Sequence, residues 1–194
     1  MFSKLTLGAA LSAILACSAQ AQTVGNEVQR DVNQQQRIES GLDSGQLSSG
    51  EAARLEAGQT HVDRLEQNAN RDGNLSPAEA QRIEHAQNVQ NRRIYDLKHN
   101  GIAGNPNSPS SKRLQNDVQR NVNQQQRIGQ GVQSGSVTNR EAGRLEGGQA
   151  RVNRREAVAG ANGHVGPREQ GRIQSAENRQ SHRIYRVKHN AKTG

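Results

Sequence analysis

Side chains that carry oxygen recur at short intervals along residues 68–79. The candidate metal ligands of this segment are Asn68, Asn70, Asp72, Asn74, Ser76 and Glu79. They would offer side-chain oxygens at the first, third, fifth and ninth positions, a backbone carbonyl at the seventh and a carboxylate at the twelfth, which is an arrangement that suits Ca²⁺. The spacing therefore predicts a calcium site whose charged ligands are Asp72 and Glu79.

The segment resembles the calcium loop of EF-hand proteins. Gly73 occupies the sixth position, where that loop turns sharply, and Leu75 occupies the apolar eighth. Asn68 stands where Asp is usual, so the resemblance implies weak binding, with a Kd of about 10⁻⁴ to 10⁻³ M. A structural alternative stays open, because an Asp-Gly turn followed by the Ser76 to Glu79 helix start gives most of the pattern without metal.

The chain contains one unit written twice in tandem. Residues 28–38 return almost unchanged as residues 118–128, an offset of 90, and the register holds to the end of both copies. In the second copy Val158 and Gly160 replace Asn68 and Asn70, so only the first copy is expected to hold calcium.

Apolar residues at steps of three and four predict three helices in each copy. Helix starts are marked by a hydroxyl three residues before a Glu at Ser48, Ser76 and Thr138, and by Pro77 and Pro167 as first helical residues. Aromatic residues make up only 2% of the chain, so the core must consist of Ala, Val, Ile and Leu. We expect an all-α fold of two tandem three-helix repeats, each helix-loop-helix and EF-hand-like, joined by a flexible linker.

Charge and composition suggest where these repeats begin and end. Residues 23–100 form an acidic first repeat with a net charge of −3, residues 101–112 have the Gly, Pro, Asn and Ser content of a linker, and residues 113–194 form a basic second repeat. The chain from residue 101 onward carries +10. We expect each repeat to fold separately. The basic repeat is expected to attract anionic polymers or membrane surfaces, without specific nucleic-acid binding, unless its Arg residues merely solvate the helices.

The first 21 residues have the features of a signal peptide. Lys4 precedes an apolar stretch over residues 5–16, and residues 19–21 read Ala-Gln-Ala, a cleavage-site pattern. This predicts a periplasmic or secreted protein with no transmembrane segment in the mature chain. An alternative is lipid anchoring through Cys17, because residues 14–17 resemble a lipobox.

The order of these motifs along the mature chain is similar to that of uncharacterised exported repeat proteins of proteobacteria. The resemblance rests on the repeated Gln-Arg-Ile and Arg-Leu-Glu segments, the Asp-Gly-x-Leu-Ser loop and the His-Asn ends. It implies export and repetition, and it brings no activity with it.

Residues typical of catalysis are not visible in the sequence. There is no Gly-rich phosphate loop, no nucleophile elbow and no isolated pair of carboxylates in an apolar setting. We expect a non-enzymatic exported protein that binds calcium weakly. The alternative is a structural or interaction protein whose basic half docks on lipid head groups or polysaccharide.

Overall fold

The computed structural model describes the backbone of residues 9–190 and the side chains of residues 24–190. Over this range the chain forms α-helices joined by short loops, which confirms the all-α prediction. The helices are α1 (Ala9–Asp43), α2 (Ser49–Ala69), α3 (Pro77–Lys98), α4 (Pro109–Gln133), α5 (Asn139–Ala159) and α6 (Pro167–Lys188). The side chains of the predicted signal peptide, residues 1–21, including that of Cys17, are not among those described.

The predicted helix starts are observed. Ser48, Ser76 and Thr138 each accept a hydrogen bond from the backbone N–H three residues later, and the Glu at that place accepts one from the cap N–H. Pro77 and Pro167 are first helical residues. These caps satisfy backbone donors that have no partner inside a helix, so they fix where α2, α3 and α5 begin.

The helices of the two copies pair with one another. α2 packs most extensively against α5, and α1 against α4, while α3 lies on α1 and α2 and α6 lies on α4 and α5. The α2 and α5 pair runs antiparallel, because Ala53 lies against Gly160 and Asn70 against Gly143 at opposite ends of the two helices. A Cβ on Gly143 would lie 2.8 Å from that of Asn70, so glycine permits the close approach.

Two hydrophobic clusters form the core, and each contains residues from both copies. The first includes Val28, Ile83, Ile128, Leu145 and Ile184. The second includes Ile38, Leu55, Ile94, Leu114 and Ile173. Separating the copies would expose part of both clusters, and burying one such side chain stabilises the fold by about 1.5 to 3 kcal/mol. The expectation of two separately folding repeats is therefore not confirmed, and it stays a prediction.

The segment between the copies is shorter than the predicted linker, and a backbone hydrogen bond attaches it to the rest of the fold. α4 begins at Pro109 behind a Ser108 cap, so residues 109–112 are helical and do not belong to a linker. The Gly104 N–H donates to the Gly45 carbonyl at 2.7 Å, which attaches the remaining segment to the α1–α2 loop. These contacts do not support a flexible linker.

A glutamine in the middle of the third apolar stripe has a specific place. Gln90 of α3 donates to the Leu55 carbonyl of α2 at 2.9 Å and lies over Gly58. Gln180 repeats the arrangement in the second copy, with Leu145 and Gly148. The hydrogen bond lets a polar residue enter the interface, because its amide donor is satisfied there.

Among the described residues, none of the helices has the length and apolar character needed to cross a bilayer.

Candidate metal centre

Acidic side chains line the interior where α1, α2, α4 and α5 meet. Fully or almost fully buried carboxyl groups are found at Glu27, Asp31, Glu56, Asp63, Glu66, Asp117, Glu146, Glu156 and Glu177. Burying a charge without a partner is expensive, so these groups need protons, hydrogen-bond donors or a cation. Within the described residues, the ion pair found among them joins Arg120 to Glu177 at 3.1 Å.

Four of these residues form a compact group, which we call the acidic cluster: Asp31, Asp63, Glu66 and Glu146. One carboxylate oxygen of each lies within 4.8 Å of those of the others. Asp31 comes from α1, Asp63 and Glu66 from α2, and Glu146 from α5 of the second copy. The cluster therefore exists only because the two copies pack together.

Amide side chains hold one oxygen of each carboxylate in the acidic cluster. Gln87 donates to Asp31 Oδ1 at 3.0 Å and to Glu66 Oε1 at 3.1 Å. Asn153 donates to Asp63 Oδ2, and Gln125 to Glu146 Oε2, both at 2.9 Å. Such donors fix the orientation of the carboxylates, as outer partners do around metal ligands.

The second oxygen of each carboxylate accepts no hydrogen bond from an N–H or hydroxyl group. These atoms are Asp31 Oδ2, Asp63 Oδ1, Glu66 Oε2 and Glu146 Oε1, and all are buried. An unsatisfied buried acceptor costs about 1 to 3 kcal/mol, and more when it is charged. The four carboxyl groups that carry these atoms lie close together and form a set of oxygen donors that a cation would satisfy.

Burial and mutual repulsion favour the neutral forms of these acids when no cation is bound. Burial raises the pKa of Glu146 to about 8 and that of Asp31 to about 7. Burial, and then the charges of neighbouring acids, raise the pKa of Asp63 and Glu66 well above the usual range. Glu27, next to the cluster on α1, has its pKa raised to about 8, chiefly by burial. Protons and cations would therefore compete for this site.

A related group lies at the equivalent positions of the other copy, and we call it the amide cluster: Asn121, Asn153, Glu156 and Glu56. They correspond, at the offset of 90, to Asp31, Asp63, Glu66 and Glu146. Asn121 Nδ2 donates to both oxygens of Glu156, at 3.0 and 2.8 Å. Amide donors thus satisfy both oxygens of Glu156, and Glu56 Oε1 is the carboxylate oxygen of this cluster that has no such donor, whereas the acidic cluster has four.

The six loop residues predicted as calcium ligands lie at the end of α2 and the start of α3. Asn68 is exposed in the last turn of α2, and Asn70 is buried against α5, with its Nδ2 donating to the Glu66 carbonyl at 3.1 Å. Asp72 Oδ1 accepts from the Asn74 N–H at 2.9 Å. The Ser76 N–H and hydroxyl both donate to the same oxygen of Glu79 as the helix cap.

The same turn forms in the second copy without most of the ligands. Gly73 and Gly163 have φ of 92° and 82°. The His164 N–H donates to Asn162 Oδ1 at 2.9 Å, as the Asn74 N–H does to Asp72. In the first copy the Arg140 guanidinium donates to the Asp72 carbonyl at 2.8 Å, which places a positive charge beside the loop. Calcium binding by this loop stays a prediction.

The acidic cluster was not predicted from the sequence, although a local signal was present. Glu66 lies four residues after Val62 and three before Ala69, so it continues the apolar stripe of α2. An acid on the buried face of a helix is uncommon and indicates a partner or a function. The burial of these carboxyl groups could not be read from the sequence, because it depends on both copies.

Comparison of the chain with protein-family models, curated proteins and solved structures found no match.

Proposed function

We propose that this protein binds a hard divalent cation, such as Ca²⁺ or Mn²⁺, in the acidic cluster. The observation that carries the proposal is the set of four buried carboxylates whose unpartnered oxygens lie on side chains already held from behind by amides. The arrangement has both parts of a protein metal site, namely the ligands and the outer partners that orient them.

The spacing of the cluster fits a single ion. Two oxygens on opposite sides of Ca²⁺ lie about 4.6 to 5.2 Å apart, given its usual ligand distances. The donor atoms of the cluster lie within 4.8 Å of one another, so they fit around one ion without large movement. Water or a second oxygen of the same carboxylates would complete six or more ligands.

The donor type selects the class of metal. The acidic cluster offers carboxylate oxygens, and its residues include no His and no Cys. Hard cations prefer such ligands, whereas Zn²⁺ favours nitrogen and sulfur. The amides present their N–H groups to the carboxylates, and these bonds favour the ionised form that a metal requires.

The proposal keeps the exported, non-enzymatic character inferred from the sequence. Residues 1–21 support export, and the cluster is closed to solvent, which favours a structural ion over one that meets a substrate. Metal binding would then couple to folding, since the two copies must meet to assemble the ligands.

The test is a metal titration of the chelator-treated protein at pH 7.5. We expect Ca²⁺ or Mn²⁺, at about 100 times its Kd, to raise the melting temperature by about 5 to 10 °C, and Zn²⁺ to act less. The matched variant is Asp31→Asn with Asp63→Asn, which gives the first copy the amides that the second copy has at these positions. Its affinity for the metal should fall by at least roughly 10- to 100-fold, which is the loss that removal of an outer partner alone causes.

Two controls separate the acidic cluster from other sites. Glu56→Gln removes an equally buried carboxylate from the amide cluster, and we expect it to leave the metal response intact. Asp72→Ala removes the central loop carboxylate without disturbing the Ser76 cap. A wild type that melts at the same temperature with chelator and with every cation would refute the proposal. A response lost in Asp72→Ala alone would move the site to the loop.

A further inference from the structure

The copies differ most in charge along the face between their second and third helices. In the first copy, α2 and α3 border a cavity of about 680 Å³ with a mixed lining. His61, Leu65, Ala78 and Val89 are among its residues. This face is neither strongly charged nor fully apolar.

At the equivalent positions the second copy places arginines. His61 corresponds to Arg151, Leu65 to Arg155, Ala78 to Arg168, and Val89 to Arg179. All four arginines are exposed on α5 and α6. Four arginines that the first copy lacks therefore lie on one face, which we call the arginine face.

The arginine face continues into two neighbouring cavities. One, of about 550 Å³, is lined by Arg144, Arg151, Arg183 and Arg186. The other, of about 500 Å³, shares Arg144 and adds Arg71 and Arg140.

The arginines of this face have few acids beside them. Loss of solvent, and then the nearby Arg183, lower the pKa of Arg151. Glu141 also lines the larger cavity, but its oxygens accept from the Thr138 cap and from Asn190. Over the part of the chain described, the single ion pair within 4.0 Å is that of Arg120, away from these cavities. The positive charge of the face is thus not cancelled by a matching set of acids.

We propose that the arginine face binds a linear acidic polysaccharide. Guanidinium groups pair with carboxylates and sulfates through two parallel hydrogen bonds, which suits repeated anionic groups along a chain. The arginines extend from Arg168 to Arg186, which is about 27 Å along α6 at the helical rise. A row of this length fits an extended polymer better than a single small anion.

Other anionic partners fit the face less well. The large exposed hydrophobic residues among the described side chains are Tyr95, Ile102, Val158 and Tyr185, so an apolar patch for membrane insertion is lacking on this face. Tyr185 is stacked on His189, and one aromatic ring gives poor support for successive nucleic-acid bases. The proposal is independent of metal binding, because none of these arginines belongs to the acidic cluster.

The experiment measures heparin binding by the full protein at low and at physiological salt. The test variant is Arg151→His with Arg155→Leu and Arg179→Val, which installs the first copy's own residues. The control is Arg54→Gln with Arg64→Gln and Arg92→Gln, which removes the same charge from exposed positions of the first copy. We expect the test variant to bind about tenfold more weakly at low salt, and the control less than about threefold, since each exposed ion pair adds a factor of about two to three.

A second variant, Arg168→Ala with Arg179→Val, changes α6 alone and gives the same comparison if the first variant does not fold. Equal losses in the test and control variants would overturn the proposal, because net charge would then explain binding. Tighter binding to phosphatidylglycerol vesicles, or to a single-stranded oligonucleotide of equal charge, would overturn it in favour of that partner.

Discussion

The acidic cluster and the amide cluster occupy equivalent places in the two copies, yet they solve the same electrostatic problem differently. Where Asn121 donates to both oxygens of Glu156, the first copy has Asp31 facing Glu66. The amide supplies donors, whereas the acid supplies a second negative charge. An Asp in place of an Asn thus removes donors and adds an acid, which increases the requirement for protons or a cation.

The clusters meet at the centre of the molecule. Asn153 of the amide cluster donates to Asp63 of the acidic cluster at 2.9 Å, and these residues are equivalents of each other. Glu146 and Glu56 each belong to the cluster of the opposite copy, because α2 and α5 run antiparallel against one another. The comparison therefore concerns one continuous polar interior and not two separate sites.

The largest expected effect comes from separating the copies. Residues 22–108 and 109–194, expressed apart, should each lose most helical circular dichroism, since each lacks half of both hydrophobic clusters. The loss amounts to the whole stability, about 5 to 15 kcal/mol for a domain. Mixing the halves should restore helicity. Cooperative melting of either half alone would contradict the shared core.

The next largest effect is expected from a substitution that makes the amide cluster resemble the acidic cluster. Asn121→Asp should lower the free energy of unfolding by about 3 to 5 kcal/mol at pH 8 in chelator, because it replaces donors to Glu156 with a buried charge. The loss should be smaller at pH 5, where the acid is protonated. Urea unfolding at both pH values measures it. The reverse change, Asp31→Asn, should stabilise the protein at pH 8 in chelator. A destabilisation would contradict the proposed difference between the two clusters.

The stability of the wild type should depend on pH, because ionising the buried acidic cluster costs free energy. The folded pKa values of Glu146 and Asp31, about 8 and about 7, exceed their ordinary values, so folding takes up protons. Stability in chelator is then full below about pH 4 and is lost as the pH rises through 7 to 8. We expect a fall on the order of a few kcal/mol between pH 5 and pH 8, measured by urea unfolding. Added Ca²⁺ or Mn²⁺ should reduce this fall, whereas a rise in stability with pH in chelator would contradict the argument.

The smallest effect is expected at the loop. Asp72→Ala removes the hydrogen bond to the Asn74 N–H and should lower stability by about 0.5 to 1.5 kcal/mol, the usual worth of one such bond. Asn162→Ala makes the equivalent change in the second copy and serves as its control. If Asp72 only forms the turn, both variants should lose similar amounts with and without calcium. A calcium-dependent difference between their melting curves would restore the loop as a metal site.

Most helix starts, and the residues that recur, could be predicted from the amino-acid sequence alone. Caps such as Ser48 with Glu51 are local, because a hydroxyl and a carboxylate three residues apart satisfy the first backbone donors whatever packs outside. The repeat was likewise visible in the letters alone. Those features predicted the all-α fold and the ends of the loops. They also led to the prediction of a calcium site in the segment from Asn68 to Glu79.

Which acids are buried, and which groups they face, depends on how the helices pack. Glu146 reaches Asp63 because α5 lies antiparallel on α2, and no short pattern encodes a contact between residues so far apart in the chain. The net charge of −3 of residues 23–100 gives no sign of where the acids lie, and several of them line the interior. An isolated helix shows which residues share a face, whereas burial and pKa depend on the helix that covers that face, and here the covering helix belongs to the other copy.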